Sequence, residues 1–213
     1  MPKIIIAYNN SYNTDLHNYF QLCADNIRQS CAENKHHYTS ITPPELTEDR
    51  IMENIQTHHF CFIAMHGDAD GVYNENNEDV ISTRTTNYAF KEKCLYSIAC
   101  HCAKNLKEEL TRIGINLFVG YENEYHVGYN DTIFADCAME GAKQICSGST
   151  FEKSKAYMLA KYDESINELY KSLNDTENNS KKNTLLWDAT FLLENKENLI
   201  FEGELSLTLS DIK

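Results

Sequence analysis

The chain has 213 residues, 42% of them hydrophobic, which is long enough to bury one sizeable core. Its 32 acidic residues outnumber its 19 basic ones, leaving a formal net charge of −13 with no basic patch to offset it. That balance disfavours phosphate backbones and anionic lipid surfaces and reads as a solvated acidic exterior. With only 3 Pro and 8 Gly, no collagen-like, repeat or low-complexity region is expected, and no apolar run approaches the roughly 18 to 20 residues of a membrane-spanning helix.

The first apolar run, residues 3–8 (KIIIAY), predicts a buried strand that ends at Asn9 and Asn10. From Asp15 to Glu33, residues Leu16, Tyr19, Phe20, Leu22, Cys23, Ile27 and Cys31 recur at helical spacing, as in a helix packed on a sheet. Thr42-Pro43-Pro44 breaks the chain, and Glu45–Thr57 reads as a second helix with Thr47 as its cap. Three runs that are apolar almost throughout, His59–Met65, Cys94–Ala99 and Ile115–Gly120, predict strands buried on both faces at the sheet centre.

Between the first two of those strands, Gly71–Tyr73 and Asp79–Ser82 flank Asn74–Glu78 and suggest a small hairpin inside the long 67–93 connection. A connection of that length leaving a central strand is a place to look for function, because open α/β sheets set their sites at the carboxyl ends of the strands. Helical spacing returns in Ala103–Ile113, Thr132–Cys146 and Phe151–Leu173. Ser172–Asn183 is polar and without periodicity, so it reads as an exposed loop. Leu185–Leu193 and Leu199–Leu209 read as strands around a polar turn at Glu194–Asn198, a C-terminal hairpin at the sheet edge. The alternation predicts one α/β domain over 1–213 with a mainly parallel sheet.

Eight cysteines at 23, 31, 61, 94, 100, 102, 137 and 146 lie mostly in apolar stretches, and the opening MPKIIIAYNN lacks the pattern of a secretion signal. A reducing, cytoplasmic setting is expected. Five of these cysteines, Cys23, Cys31, Cys61, Cys137 and Cys146, read as core.

Two central strands run directly into reactive side chains: FCFIAM into His66-Gly67, and CLYSIA into Cys100. If the strands are parallel neighbours, both groups emerge at one sheet edge. A thiolate can then attack a carbonyl while an imidazole delivers a proton to the leaving amine. Gly67, lacking a Cβ, lets its N–H approach the substrate, and with the N–H of Cys100 it can receive an oxyanion.

A hydrophobic strand followed by His-Gly, then a hydrophobic strand with a small residue and Cys, resembles the caspase-like cysteine peptidases, a group that includes caspases, metacaspases and gingipains. The segment DADGVYNENNEDVIS is similar to the hairpin after their catalytic His, and the succession after Cys100 is similar to the bacterial CHAT proteases, with LLWDATFLL matched to their closing Trp-bearing strand. The Cys100-His101-Cys102 run is closer to metacaspases. The resemblance implies a three-layer sandwich and an endopeptidase acting on one or few protein targets, in the setting of a bacterial defence or cell-death system. It also implies control by an activating or regulatory protein; no cofactor or metal is expected.

By the same resemblance the first specificity pocket involves Ala64 and Ile98, two residues before the His and the Cys, with Tyr121 beside them. Their apolar character favours a small or apolar side chain, unless Asp68, Glu122 or Glu124 reaches in to favour Lys or Arg.

Other readings stand beside this one. Cys100, His101 and Cys102 with Cys94, His66 or His126 are zinc-type ligands, but no Cys-x-x-Cys is present and alternate residues of an extended segment reach one ion poorly. Asp68 and Asp70 are a carboxylate pair of the kind that is usually solvated. Without a phosphate-binding glycine motif, nucleotide chemistry is not indicated. A caspase-like module with an idle dyad, acting by docking, and a flavodoxin-like ligand binder are the rivals from other classes.

Overall fold

The computed structural model describes residues 2–84 and 88–212. Residues 1 and 213 of the expected 1–213 domain, and 85–87 of the 67–93 connection, lie outside the described residues.

Six strands form the main sheet: β1 (Lys3–Tyr8), β2 (His37–Ile41), β3 (Phe60–Ala64), β7 (Cys94–Ile98), β8 (Leu117–Tyr121) and β9 (Leu199–Gly203). Their order is β2-β1-β3-β7-β8-β9, parallel throughout except for β9, which runs antiparallel to β8 at one edge. Short strands β4 (His66–Gly67), β5 (Gly71–Tyr73) and β6 (Asp79–Ser82) make a separate three-stranded sheet, which contains the hairpin expected after His66. Helices α1 (His17–Glu33), α2 (Glu48–Ile55), α3 (Asn105–Ile113), α4 (Asp131–Cys146), α5 (Phe151–Asp175) and α6 (Asn179–Asn198) flank the sheet, and a short 3-10 helix, Leu209–Asp211, follows β9, which ends at Gly203 rather than running to Leu209 as expected.

The central strands are apolar at every position because both sheet faces are covered. Ile4, Ile6, Phe60, Phe62, Tyr96 and Val119 point to the side of α1, α4, α5 and α6, and the alternate residues Ile5, Ala7, Cys61, Ile63, Leu95 and Phe118 point to α2 and α3. Helix α2 begins as expected, with the Thr47 side chain accepting a hydrogen bond from the Arg50 N–H.

Three further expectations are corrected. Strand β2 has no counterpart in the sequence reading: it is an edge strand, HYTSI, exposed at most positions, so it carries no apolar run. The expected loop at 172–183 is largely helical, because α5 runs to Asp175 and α6 starts at Asn179, where the Asn178 side chain caps it by accepting from the Lys181 N–H. The expected strand Leu185–Leu193 is the middle of α6, so the C-terminal edge hairpin is replaced by a helix leading into the single strand β9. The physical reason is legible in α6 itself. Its inward face carries Asp188 and Asn195 among Ala189 and Leu192, whereas Leu186, Trp187 and Leu193 face outward, so the apolar residues follow no helical stripe.

Candidate active site

Strands β3 and β7 are parallel neighbours whose register ends at Ala64 opposite Ile98. His66 and Cys100 each follow two residues later, at the same end of the sheet. By strand alternation both side chains fall on the α1 side, and their contacts agree: Phe20 of α1 meets the His66 ring edge-on at 5.5 Å, and Cys100 packs against the core of that face. Tyr73 of β5 links the two. Its ring stacks on His66 at 6.2 Å between centroids, and its hydroxyl lies close enough to Cys100 for the sulfur's charge to raise its pKa, after burial and Asp68.

Gly67 lies against the backbone of the cysteine. A Cβ built at position 67 would stand 3.0 Å from the Cys100 carbonyl oxygen, the Gly71 carbonyl oxygen and the Ala99 side chain. Any side chain there must push β4 away from the end of β7. If Cys100 is the nucleophile of a peptidase, the expected result for Gly67→Ala is a loss of peptide cleavage of about tenfold or more, the size found when oxyanion geometry is disturbed. Initial rates and a thermal melt on the same preparation check it, and a wild-type rate would refute it.

The Cys100 sulfur accepts a hydrogen bond from the Tyr125 N–H at 3.4 Å and faces the Tyr125 carbonyl oxygen at 3.9 Å. Burial pushes the Cys100 thiol above its ordinary value, the Tyr125 backbone pulls it down, and nearby Glu124 raises it again. Of the eight free cysteines, Cys100 alone is partly exposed, and the other seven are buried. Preferential labelling of Cys100 therefore follows from access alone. A role in catalysis has to be read from pH dependence and turnover.

Beyond β8 the chain returns across the site as residues 122–130, and α6 pins this segment. The Asn195 side chain accepts from the His126 N–H at 2.8 Å and donates to the His126 carbonyl at 2.7 Å. Asp188 accepts the Tyr129 N–H at 2.7 Å, and the Glu122 N–H reaches the Asn198 carbonyl at 2.9 Å. Gly128 makes this approach possible, since a Cβ there would lie 2.1 Å from the Asp188 Oδ1. Beneath the segment the Tyr125 hydroxyl bonds that of Tyr19, and its ring meets Tyr121 at 4.5 Å. The His126 ring stacks on Phe191 at 4.8 Å, and its Nε2 lies 3.2 Å from Glu194. Where α6 and the segment diverge, a cavity of about 360 Å³ opens between Val127, Gly128, Tyr129, Trp187 and Phe191.

The substrate-contacting residues read from the sequence divide into two groups. Ala64, Ile98 and Tyr121 are fully buried in the core, and the Tyr121 hydroxyl is engaged with that of Tyr162 at 3.0 Å, so none of the three lines an open pocket. Glu122, Glu124 and Asp68 are exposed, although Asp68 is tied into a turn by accepting the Asp70 and Gly71 N–H groups. His101 adopts a left-handed backbone conformation (φ 55°) and donates its N–H to the Asn123 carbonyl, which turns the chain away from Cys100 into α3. Cys102 is buried before the first residue of α3 rather than inside its first turn. Cys94, weighed as a metal ligand, sits at the far end of β7 from Cys100, and no three His, Cys, Asp or Glu side chains converge as a metal site among the described residues. Tyr73, Tyr125, Asp188 and Asn195 were not singled out from the sequence. Their signal is a contact across many residues of chain, which no local motif carries.

A mainly parallel six-stranded sheet covered on both faces, with a small sheet inserted after the third strand, is the caspase-like α/β fold. Among solved structures, the chain is similar to the Arg-specific cysteine proteinase gingipain R, with a TM-score of 0.58 and 10% sequence identity. The match covers 97% of this chain and 46% of the gingipain chain, so this chain spans less than half of that protein's length. At that identity the likeness establishes the fold. No protein-family model matches the chain, and no curated protein matches it.

Proposed function

We propose that the chain is a cysteine endopeptidase that hydrolyses peptide bonds in one or few protein targets. Cys100 Sγ attacks the peptide carbonyl carbon as its proton passes to His66, forming a C–S bond while the C=O π electrons move onto oxygen, whose negative charge the backbone N–H groups of Gly67 and Cys100 receive. His66 delivers a proton to the leaving amine as the C–N bond breaks. Water then cleaves the thioester, releasing the carboxylate product and restoring the thiol. The observation that supports this most is the placement of His66 and Cys100 at equal distances past one strand pair, with Tyr73 against both.

The resting sulfur is engaged by the Tyr125 backbone, and its thiol is raised by burial, which suits an enzyme held quiet until a regulatory protein or the substrate shifts residues 122–130. Substrate selection is assigned to the exposed surface around Cys100, including Asp68, Glu122, Glu124 and the aromatic cavity beside Trp187, because Ala64, Ile98 and Tyr121 are sealed in the core. The acidic surface favours protein over nucleic acid or membrane as partner, and eight free thiols suit a reducing cytoplasm. Within the caspase-like group, the helical conformation of the Trp187 segment removes one of the features that pointed to CHAT proteases.

A second reading, a caspase-like docking module with an idle dyad, draws on the same Tyr125 contact. One experiment separates the two: wild type and Cys100→Ala are incubated with a peptide library and the cleavage sites mapped by mass spectrometry. Cleavage by wild type alone, with a consensus around the scissile bond, is expected. Equal products from both proteins, or none from either, would overturn the peptidase reading.

A further inference from the structure

The two residues that spoil the apolar stripe of α6 are its most informative. Asn195 is completely buried, and its amide group satisfies both backbone polar groups of His126. A buried polar side chain that bridges an irregular segment in this way fixes that segment's position, because losing it strands two buried backbone groups. The residue immediately before His126 is Tyr125, whose N–H lies on the Cys100 sulfur.

We propose that Asn195 is a positioning residue for the cysteine: by gripping His126 it sets the Tyr125 N–H on Cys100 Sγ, and α6 thereby tunes the ionisation of the nucleophile. The meaning of this device for catalysis rests on the reading of Cys100 as nucleophile, but the device itself is measurable without turnover. An N–H aimed at sulfur favours the thiolate over the thiol, and it opposes the burial that disfavours charge. The other ionisable groups around the sulfur come from several elements: Glu124 on the same segment, Tyr73 of β5, His66 stacked on Tyr73, and Cys102 before α3. None of them is bonded to Asn195, so a change at Asn195 reaches the sulfur through the backbone of residues 125 and 126.

The test is the rate of iodoacetamide labelling at Cys100 between pH 6 and pH 9.5, where the fold is retained, followed by intact-mass and peptide mapping. Two variants are used, Asn195→Ala and the nearly isosteric helix-former Asn195→Leu, with Asn198→Ala as a control. Asn198 accepts a hydrogen bond from the Asn123 side chain at an exposed position and does not touch residues 125–129. The proposal expects either Asn195 variant to label about tenfold more slowly at each pH below the midpoint, as a midpoint raised by about one pH unit by one lost charge-assisted hydrogen bond requires, and Asn198→Ala to label at the wild-type rate. A merely structural role gives the opposite sign, since a loosened site rehydrates the sulfur and lowers the midpoint towards an ordinary thiol. An unchanged or lowered midpoint overturns the proposal. Wild-type protein supplies an independent check should the variants fail to fold: the Tyr125 amide resonance should titrate with the Cys100 midpoint, and its indifference to pH would also overturn it. Because labelling needs no substrate, failure of the peptidase reading and failure of this device give different results.

Discussion

Replacing His66 by asparagine is expected to reduce peptide turnover by about a thousandfold while leaving the pH midpoint of Cys100 labelling nearly unchanged. The two halves of this result come from different parts of the geometry. Turnover needs a group that gives a proton to the departing amine, and the His66 ring is placed for that by Phe20 on its edge and Tyr73 on its face. The sulfur's hydrogen-bond partners are the Tyr125 backbone groups, and among the described residues no hydrogen bond joins it to the imidazole. In the proposed reaction Cys100 and His66 therefore serve as a thiol and a mobile proton carrier, in contrast with cysteine enzymes whose thiolate is held permanently against an imidazolium. Paired measurements of steady-state rate and alkylation rate decide the matter. A midpoint displaced by a full pH unit in His66→Asn would mean that the two groups form a resting ion pair.

Raising the pH towards about 11 is expected to unfold the protein, with stability falling steeply from about pH 9.5. Tyr19, Tyr96, Tyr121, Tyr125 and Tyr162 are buried, and burial drives their hydroxyls well above the usual tyrosine range. Burial also pushes Cys23 up to about 12 and Cys102 up to about 11. In each case the folded state favours the protonated form. The stabilisation is complete below the unfolded values, near 8.5 for cysteine and 10 for tyrosine, and is lost as the pH rises from there towards the folded values. Each such group then costs about 1.4 kcal/mol per pH unit, so seven of them acting together exhaust a typical stability of roughly 5 to 15 kcal/mol near pH 11. Thermal melts from pH 7 to pH 11 should show a plateau and then a steep fall. Tyrosinate absorbance should meanwhile rise in two stages, the second coinciding with unfolding. A melting temperature that is flat to pH 10.5 would contradict the assignment.

The strands that carry the candidate dyad were legible because burial on both faces leaves an unbroken apolar run, as FCFIAM and CLYSIA show, and because His66-Gly67 and Cys100 stand where those runs stop. Helices α1, α4 and α5 announce themselves by spacing for the related reason that one side of each is wet. Strand β2 escaped notice since its exposed positions hold His37, Tyr38 and Ser40. Helix α6 was misread because its inward positions 188 and 195 serve polar contacts with a distant segment while Trp187 and Leu193 face solvent. Ala64 and Ile98, named by the resemblance as pocket residues two places before the His and the Cys, lie with Tyr121 inside the sheet's core, and the aromatic wall beside Tyr129 owes its place to α6, so it has no local sequence signal.

Because synthesis proceeds from residue 1 onward, both dyad residues and the segment crossing them leave the ribosome before α6 does. A chain that ends near the 176–178 connection carries His66 and Cys100 but lacks Asp188 and Asn195, the supports of that crossing segment. The surroundings of the sulfur are therefore complete only after α6 has been made.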